Sequence, residues 1–362
     1  MHPSFHEPLR FQPGEHPELA TTTAAVPDVW REWDELAEQA GAAPFLRPGW
    51  FAAWHSAYGE GQLRVLTVRD GARLAGVLPV EARGSATLSA TNTHSPLYGP
   101  VATSPEAERA LVSKLVEEAG GRIELCYVDP GTTWYGALDT ALRSDRRRIR
   151  AATVMRSPYV LLQAPEGGYT QGLSRRFLKD LRRRRRRLEE QGHVEVTVHQ
   201  SARHIDAALE QFVELESSGW KAANGTAIAS RDASRRFYAE IAHWAADSGW
   251  LRLAFLTLDG RPIAAEFDLQ CGGSMYALKS GFDPEYRGFA PGHLLTAECL
   301  EQARIDGLAS YEFLGTDEPY KMNWTETTRE RVRVEGYPRT LAGRLQAIKP
   351  RLRPLVRRLR SR

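Results

Sequence analysis

The chain has 362 residues, of which 42% are hydrophobic and 26% charged, with a net charge of only +3. That make-up belongs to a soluble globular protein with length enough for about two cores. No apolar run is long enough to cross a bilayer, and the three scattered cysteines, Cys126, Cys271 and Cys299, exclude a disulfide framework and point to the reducing cytoplasm.

Residues 1–28 read as a flexible N-terminal extension. Pro3, Pro8, Pro13 and Pro17 break its first part, and Glu7, Glu15 and Glu18 are foreign to a signal peptide. Helices are expected over 29–40 and 49–58, with Trp30, Trp33, Leu36, Trp50 and Trp54 on their apolar faces. A β-hairpin follows over 63–80, turning at Asp70-Gly71, a dipeptide that accepts the positive φ a two-residue turn demands. Then come a strand at 87–90, a loop to 104, a helix over 105–119 and a strand over 122–128. Residues 143–150 read as an exposed helix end and loop, and 159–163 as a short strand closing the unit. Ala164-Pro-Glu-Gly-Gly168 is the linker.

The second half repeats this order. Ser174 opens a basic helix that Gly192 ends, with Phe177, Leu181 and Leu188 on one stripe. The arginines from Arg182 to Arg187 are either a solvated face on buried stems or a polyanion contact. A strand at 194–199 and helices over 205–219 and 233–248 lead to a second hairpin, 251–268, turning at Asp259-Gly260. A strand at 274–281, a loop to 290, a helix over 291–305 and a strand at 310–314 complete the copy. The expected fold is α/β with a mixed sheet, in two tandem units at 29–163 and 169–337. A basic tail, 338–362, carries no acid.

Strand, two helices, three antiparallel strands, loop, helix and closing strand is the element order of the acyltransferase fold called GNAT. With Trp220-Lys221-Ala-Ala-Asn-Gly225, Phe282-Asp283-Pro284-Glu-Tyr286, Phe289-Ala-Pro291-Gly292-His-Leu-Leu295 and Tyr320-Lys321-Met-Asn-Trp324, the chain resembles the BioF2-like or CelD-type acetyltransferase family. That family is similar to the Fem peptidyl transferases in carrying two GNAT-like units. The resemblance spans about 29–324. It implies an acyl-CoA used as co-substrate, with no tightly bound cofactor, and an amine acceptor on a small molecule, peptide or sugar.

In such a unit the donor's pyrophosphate lies on backbone N–H groups at a helix N-terminus. The helix of the first copy begins Pro105-Glu106-Ala-Glu108, with two carboxylates that repel phosphate. The helix of the second begins Pro291-Gly292-His293-Leu294 with none, so the second copy is the donor site and the first a degenerate one shaping the acceptor cleft. The family pattern Gln/Arg-x-x-Gly-x-Gly/Ala is met in part by Arg287, Ala290 and Gly292. Ala290 stands for a glycine, and Pro291 removes one donor.

Acyl transfer to an amine needs a base and an acid. On the strand from Pro262 to Gln270, Glu266 and Asp268 share one face, which helices on both sides of the sheet would turn into a cleft wall; an exposed strand would show the same alternation. Glu266 is the first candidate base and Asp268 the second. Tyr286 and Tyr320 are candidate acids by residue type. The resemblance adds Trp220, Lys221, Lys279, Lys321 and Trp324 as substrate-binding groups. No metal site is expected, because the ten histidines lack paired spacing. Two other readings stay open: a Fem-like transferase taking its aminoacyl group from a charged tRNA held by Arg182 to Arg187 and the tail, and a non-catalytic partner in envelope polysaccharide assembly with the tail on anionic lipid.

Overall fold

The computed structural model describes residues 19–163, 169–203, 205–218, 228 and 231–339. The linker 164–168, the loop bearing Trp220 and Lys221, and the tail beyond 339 lie outside them.

The first half runs β1 (Leu19–Ala24), α1 (Val26–Gln39), α2 (Pro48–Tyr58), β2 (Gln62–Asp70), β3 (Arg73–Arg83), β4 (Ala86–Ser89), β5 (Val101–Ala102), α3 (Pro105–Glu118), β6 (Ile123–Val128), α4 (Thr133–Ser144) and β7 (Arg148–Leu161). The second runs α5 (Arg175–Glu189), β8 (Val194–His199), α6 (Ile205–Ser218), α7 (Asp232–Asp247), β9 (Leu251–Leu258), β10 (Arg261–Cys271), β11 (Ser274–Phe282), α8 (Pro291–Ile305), β12 (Ser310–Glu312), the single turn α9 (Pro319–Met322) and β13 (Thr328–Tyr337).

Both expected hairpins form. In the second, Leu258 pairs with Arg261 and the two residues between, Asp259 and Gly260, both take positive φ, 49° and 80°. The first is one residue offset from expectation. Asp70 pairs with Arg73, so its loop is Gly71-Ala72 with only Gly71 left-handed.

All the strands join one mixed sheet in the order β1-β2-β3-β4-β6-β13-β7-β12-β11-β10-β9-β8, with β5 beside β3. The two units are interlocked at its centre. The final strand, β13, lies antiparallel between β6 and β7 of the first half. β7 holds β13 along 148–158 and then, on its other edge, β12 along 159–161.

Three expectations change here. Leu19–Ala24, within the supposed flexible extension, is a strand paired with β2. Residues 148–150, expected as loop, begin the longest strand. β13 gave no strand reading because its alternation is Arg329, Arg331 and Arg333 against polar and apolar neighbours; Arg331 is nonetheless buried and pairs with Asp129 at 2.8 Å.

Nor does each unit bury a core of its own. The larger core runs from the helices of the first unit into α6 and α7 of the second. Trp50 meets Phe237 and Trp244 there at centroid distances of 5.3 and 6.5 Å. Gly49 is required at that crossing, since a Cβ would lie 2.2 Å from the Trp244 indole nitrogen. The second core lies under α5 and α8.

A chain ended after Thr327 would lose β13 and leave β6 and β7 with unpaired central edges. Hydrogen exchange should find amides of β6 and β7 unprotected in that variant. Wild-type protection would mean that the seam is dispensable.

Candidate active site

The site grows from a divergence of two strands. β11 and β12 run parallel for only three pairs, Ser274 to Ser310, Met275 to Tyr311 and Tyr276 to Glu312. β12 then follows β7, with Phe313 N–H donating to Pro158 O at 3.0 Å, and turns away through Leu314 and Gly315, both at positive φ. β11 stays with β10 to Phe282. The edge of β11 beyond Tyr276 faces a notch, and among the described residues no strand pairs with it. A bulge at Leu278, opposite the step from Phe267 to Asp268, adds to the irregularity.

The first unit has the same notch, but plugged. β4 and β6 pair only at Thr87 and Leu88, and the following loop drives Tyr98 into the gap. Tyr98 is fully buried, receives a parallel bridge from Val128 and donates its hydroxyl to Pro79 O at 2.7 Å. α3 beyond it has Glu106 and Glu108 in its first turn and its own cap, Ser104, accepting from Ala107 N–H.

In the second unit two cavities meet at the notch. One, of about 530 Å³, is lined by Thr93 and His94 of the first unit and by Arg231, Tyr238, Lys279 and Lys321. The other, of about 320 Å³, is lined by Arg287, Ala290, Gly292 and His293 at the start of α8. Glu266, Ser280, Thr296 and Tyr320 line both. Cross-strand pairing explains part of this wall, since Glu266 and Ser280 stand opposite one another on β10 and β11 and share a face.

Glu266 is almost wholly buried, and its two oxygens are fixed from different elements. Thr296 of α8 donates to one, and the Tyr311 hydroxyl to the other at 3.0 Å. Asp268, two residues on, is fully buried and lines neither cavity. Burial first, and then the Glu266 carboxylate, push its carboxyl well above the ordinary range. The expected second base is therefore a proton-holding neighbour shut off from both cavities. Glu266, Asp268 and Cys299 bring ligand atoms within 4.8 Å of one another, a cluster that histidine spacing could not reveal. Burial also raises the Cys299 thiol well above its usual value, so Asp268 and Cys299 both keep their protons beside Glu266.

The donor-side expectations divide. Ala290 sits at φ 51°, in the left-handed conformation that explains the family's glycine there, and its carbonyl takes the Leu294 N–H at 3.2 Å. Gly292 and His293 therefore offer the open N–H groups, whereas Leu294 is core and not a ligand. His293 is wedged against Phe177 and Trp324 and kept neutral chiefly by burial. Arg287 lines the cavity.

Among the other candidates, Tyr320 stands between the cavities, its phenol raised by desolvation and by the Glu318 and Glu266 carboxylates, hence protonated. Tyr286 is away from both, packed on the second core with Arg261 over its ring. Trp324 is buried in that core, not a substrate platform. Lys321 lines the larger cavity with its donors already used, on Leu314 O at 2.8 Å, Thr316 O at 3.3 Å and Glu318 at 2.6 Å. It fastens the turn that opens the notch and is not free to take an anion. Lys279 does face the cavity.

Sequence reasoning missed Thr296, Tyr311 and His94. Thr296 is a polar residue in the buried stripe of α8, which periodicity could have flagged. Tyr311 looked like strand core, and His94 comes from the other unit through a loop with no local signature. His94 is stacked on Tyr58 and hydrogen-bonded to the Tyr238 hydroxyl at 3.0 Å.

The basic helix is tied to this site as well as solvated. Arg184 donates to Gly288 O at 2.7 Å, Arg187 covers the Phe289 ring and Arg185 pairs with Glu298 at 2.9 Å. Arg182, Arg183 and Arg186 point outward.

Residues 175–322 match the model of an acetyltransferase (GNAT) domain, a span that lies within the second unit. No curated protein matches the chain in sequence. Its fold is similar to that of FemX, at 15% identity and a TM-score of 0.59 over 86% of this chain and 96% of that one. It is also similar to the C-terminal domain of a putative lysylphosphatidylglycerol synthetase from Agrobacterium fabrum, at 13% identity and 0.56 over 91% and 97%. L-PGS from Bacillus licheniformis gives 12% and 0.55 over 86% and 93%. The architecture is a mixed α/β sheet of two tandem GNAT-like units. No helix among the described residues is long and apolar enough to cross a membrane.

The Asp268 environment has a pH consequence. A carboxyl held protonated in the fold favours folding below its unfolded pKa, and that contribution is lost as pH rises toward the raised folded value. Asp268→Asn should therefore gain stability relative to wild type, by a margin that widens from about pH 5 to about pH 8 in urea denaturation. A margin that does not change with pH would mean that Asp268 titrates as in an unfolded chain.

Proposed function

We propose that the second unit transfers an acyl group from an acyl-CoA to an amine, with Glu266 as general base. One observation carries the reading. A wall of four residues, Glu266 among them, divides a cavity ending at an acid-free helix N-terminus from a cavity reaching into the other unit. The likeness of the motif residues to BioF2-like, CelD-type acetyltransferases is part of the same proposal.

The donor's pyrophosphate rests on the N–H groups of Gly292 and His293, where the helix dipole favours it. The thioester oxygen takes a backbone N–H of the β11 edge, which stabilises the charge that grows on it. The amine enters from the larger cavity and must shed a proton to attack. Glu266 receives that proton, held in position by Thr296 and Tyr311. The new C–N bond forms as the C–S bond breaks, and Tyr320 supplies the proton that the departing thiolate takes up. The first unit contributes Thr93 and His94 to the acceptor wall.

Gly292 has room for a side chain, since among the described residues an added Cβ meets only Phe282, at 3.7 Å. Gly292→Glu should therefore fold yet place a carboxylate on the pyrophosphate position. Calorimetric titration with coenzyme A should show affinity lowered about tenfold or more; equal affinity removes the donor assignment. Glu266→Gln should lower kcat by roughly 10² to 10⁴ while donor affinity holds. A variant that turns over at the wild-type rate would refute the role of Glu266.

A second reading is favoured by α5, whose outward arginines flank the loop it braces. Here the donor is an aminoacyl-tRNA. Each phosphate contact would add about 0.9 to the slope of log affinity against log salt. On the acyl-CoA reading, replacing Arg182, Arg183 and Arg186 by Gln leaves turnover with acyl-CoA near wild type. Tight tRNA binding with a steep salt slope that those changes abolish would install the second reading.

A further inference from the structure

The larger cavity has an electrostatic asymmetry that the acyltransfer reading does not use. Its acids are Glu266, the proposed base, and Glu318, which is committed to Lys321 at 2.6 Å. Lys321 is itself fully engaged by Leu314, Thr316 and Glu318. Two cations remain. Arg231, just before α7, makes no ion pair or side-chain hydrogen bond among the described residues. Lys279 has its ammonium 5.7 Å from the Tyr238 ring centroid and is paired loosely, at 4.0 Å, with a Glu216 oxygen, a length that leaves its hydrogen-bond donors for a ligand.

Their placement relative to Glu266 follows from strand pairing. Glu266 stands opposite Ser280, whereas Lys279 stands opposite Phe267, so the two side chains leave opposite faces of the sheet. One cavity touches both because it passes through the notch between β11 and β12. A molecule lying in it would extend from the α8 side, where the base is, to the α7 side, where the cations are. The field of those cations is felt there already. His94 is lowered to about 4, first by burial and then by Lys279 and Arg231, so it adds no charge of its own.

We propose that the acceptor amine also carries an anionic group, a carboxylate or a phosphate, which Arg231 and Lys279 hold while the amine faces Glu266. The inference rests on the acyltransferase reading of the same site. A cavity of about 530 Å³ has small-molecule dimensions, so the acceptor class is a free amino acid or a phosphorylated amine. Arginine and lysine together suit either anion, arginine by its planar fork and lysine as a point charge. Gripping the anion across the sheet fixes the distance from it to the reacting nitrogen, which makes the spacing between the two groups a selectivity filter.

The test compares matched probes on the full chain saturated with coenzyme A. Calorimetry would titrate the free amino acids against their amides, and O-phosphoethanolamine against ethanolamine. At least one anionic probe should bind about tenfold or more tightly than its neutral partner, and whether the carboxylate or phosphate series wins identifies the group. The preference should fall toward unity in Arg231→Gln and in Lys279→Gln. Arg231 is exposed, so its variant keeps the test sound if Lys279→Gln folds poorly. Neutral probes binding as well as charged ones, no probe binding, or a preference unchanged in Arg231→Gln would each overturn the proposal. Acetyl-CoA added to the same mixtures separates the two layers: selective binding without transfer would sink the acyltransferase reading and leave the anion subsite standing.

Discussion

The site depends on two neighbouring strands being held by different partners. β11 belongs to the antiparallel meander of its own unit, whereas β12 is anchored to β7, the long strand reaching in from the other half. Their brief parallel pairing cannot continue once each follows its own neighbour, and the sheet opens. Lys321 keeps it open by tying the turn after β12 with a buried ammonium. Exposing strand edge in a protein's middle is ordinarily a liability. Here the edge lies inside a cleft, where a partner chain cannot reach it and a small ligand can.

The two copies show one framework with its notch open in one unit and filled in the other. The same divergence occurs between β4 and β6, but a tyrosine fills it and acids guard the helix beyond. The filled copy keeps its stability and gives its loop residues to the other's cavity. At the open notch the second copy carries costs of its own: a left-handed Ala290, a buried carboxyl pair and a desolvated lysine.

Much of the fold was legible because local chemistry dictated it. Asp259-Gly260 closes its hairpin with two positive φ angles, and the stripe of Leu181 and Leu188 buries the basic helix as periodicity requires. β13 was illegible because its reason for being a strand lies some two hundred residues away, in the edges of β6 and β7. Glu266 could be singled out from alternation and fold class, and Gly292 from the missing acids around it. Asp268 and Trp324 looked like site residues since a sequence gives a side chain's type and not its depth. Lys321 faces the cavity yet is spent on backbone carbonyls, a fact only the loop's path discloses. His94 had no signal at all, because the cavity it lines is made by the meeting of two units.

The placement of β13 bears on how such a chain is made. A ribosome delivers the first half long before the last strand exists, so that half emerges with a gap between β6 and β7 that nothing yet synthesised can fill. The contact that completes it closes a loop of most of the polypeptide, and high contact order of this kind slows folding. Until then two adjacent strand edges stand open, the condition in which nascent chains pair wrongly with one another. The interlocking that unites the sheet therefore makes the N-terminal half dependent on the C-terminal one in time as well as in space, and a chain cut short in translation would carry no finished unit at all.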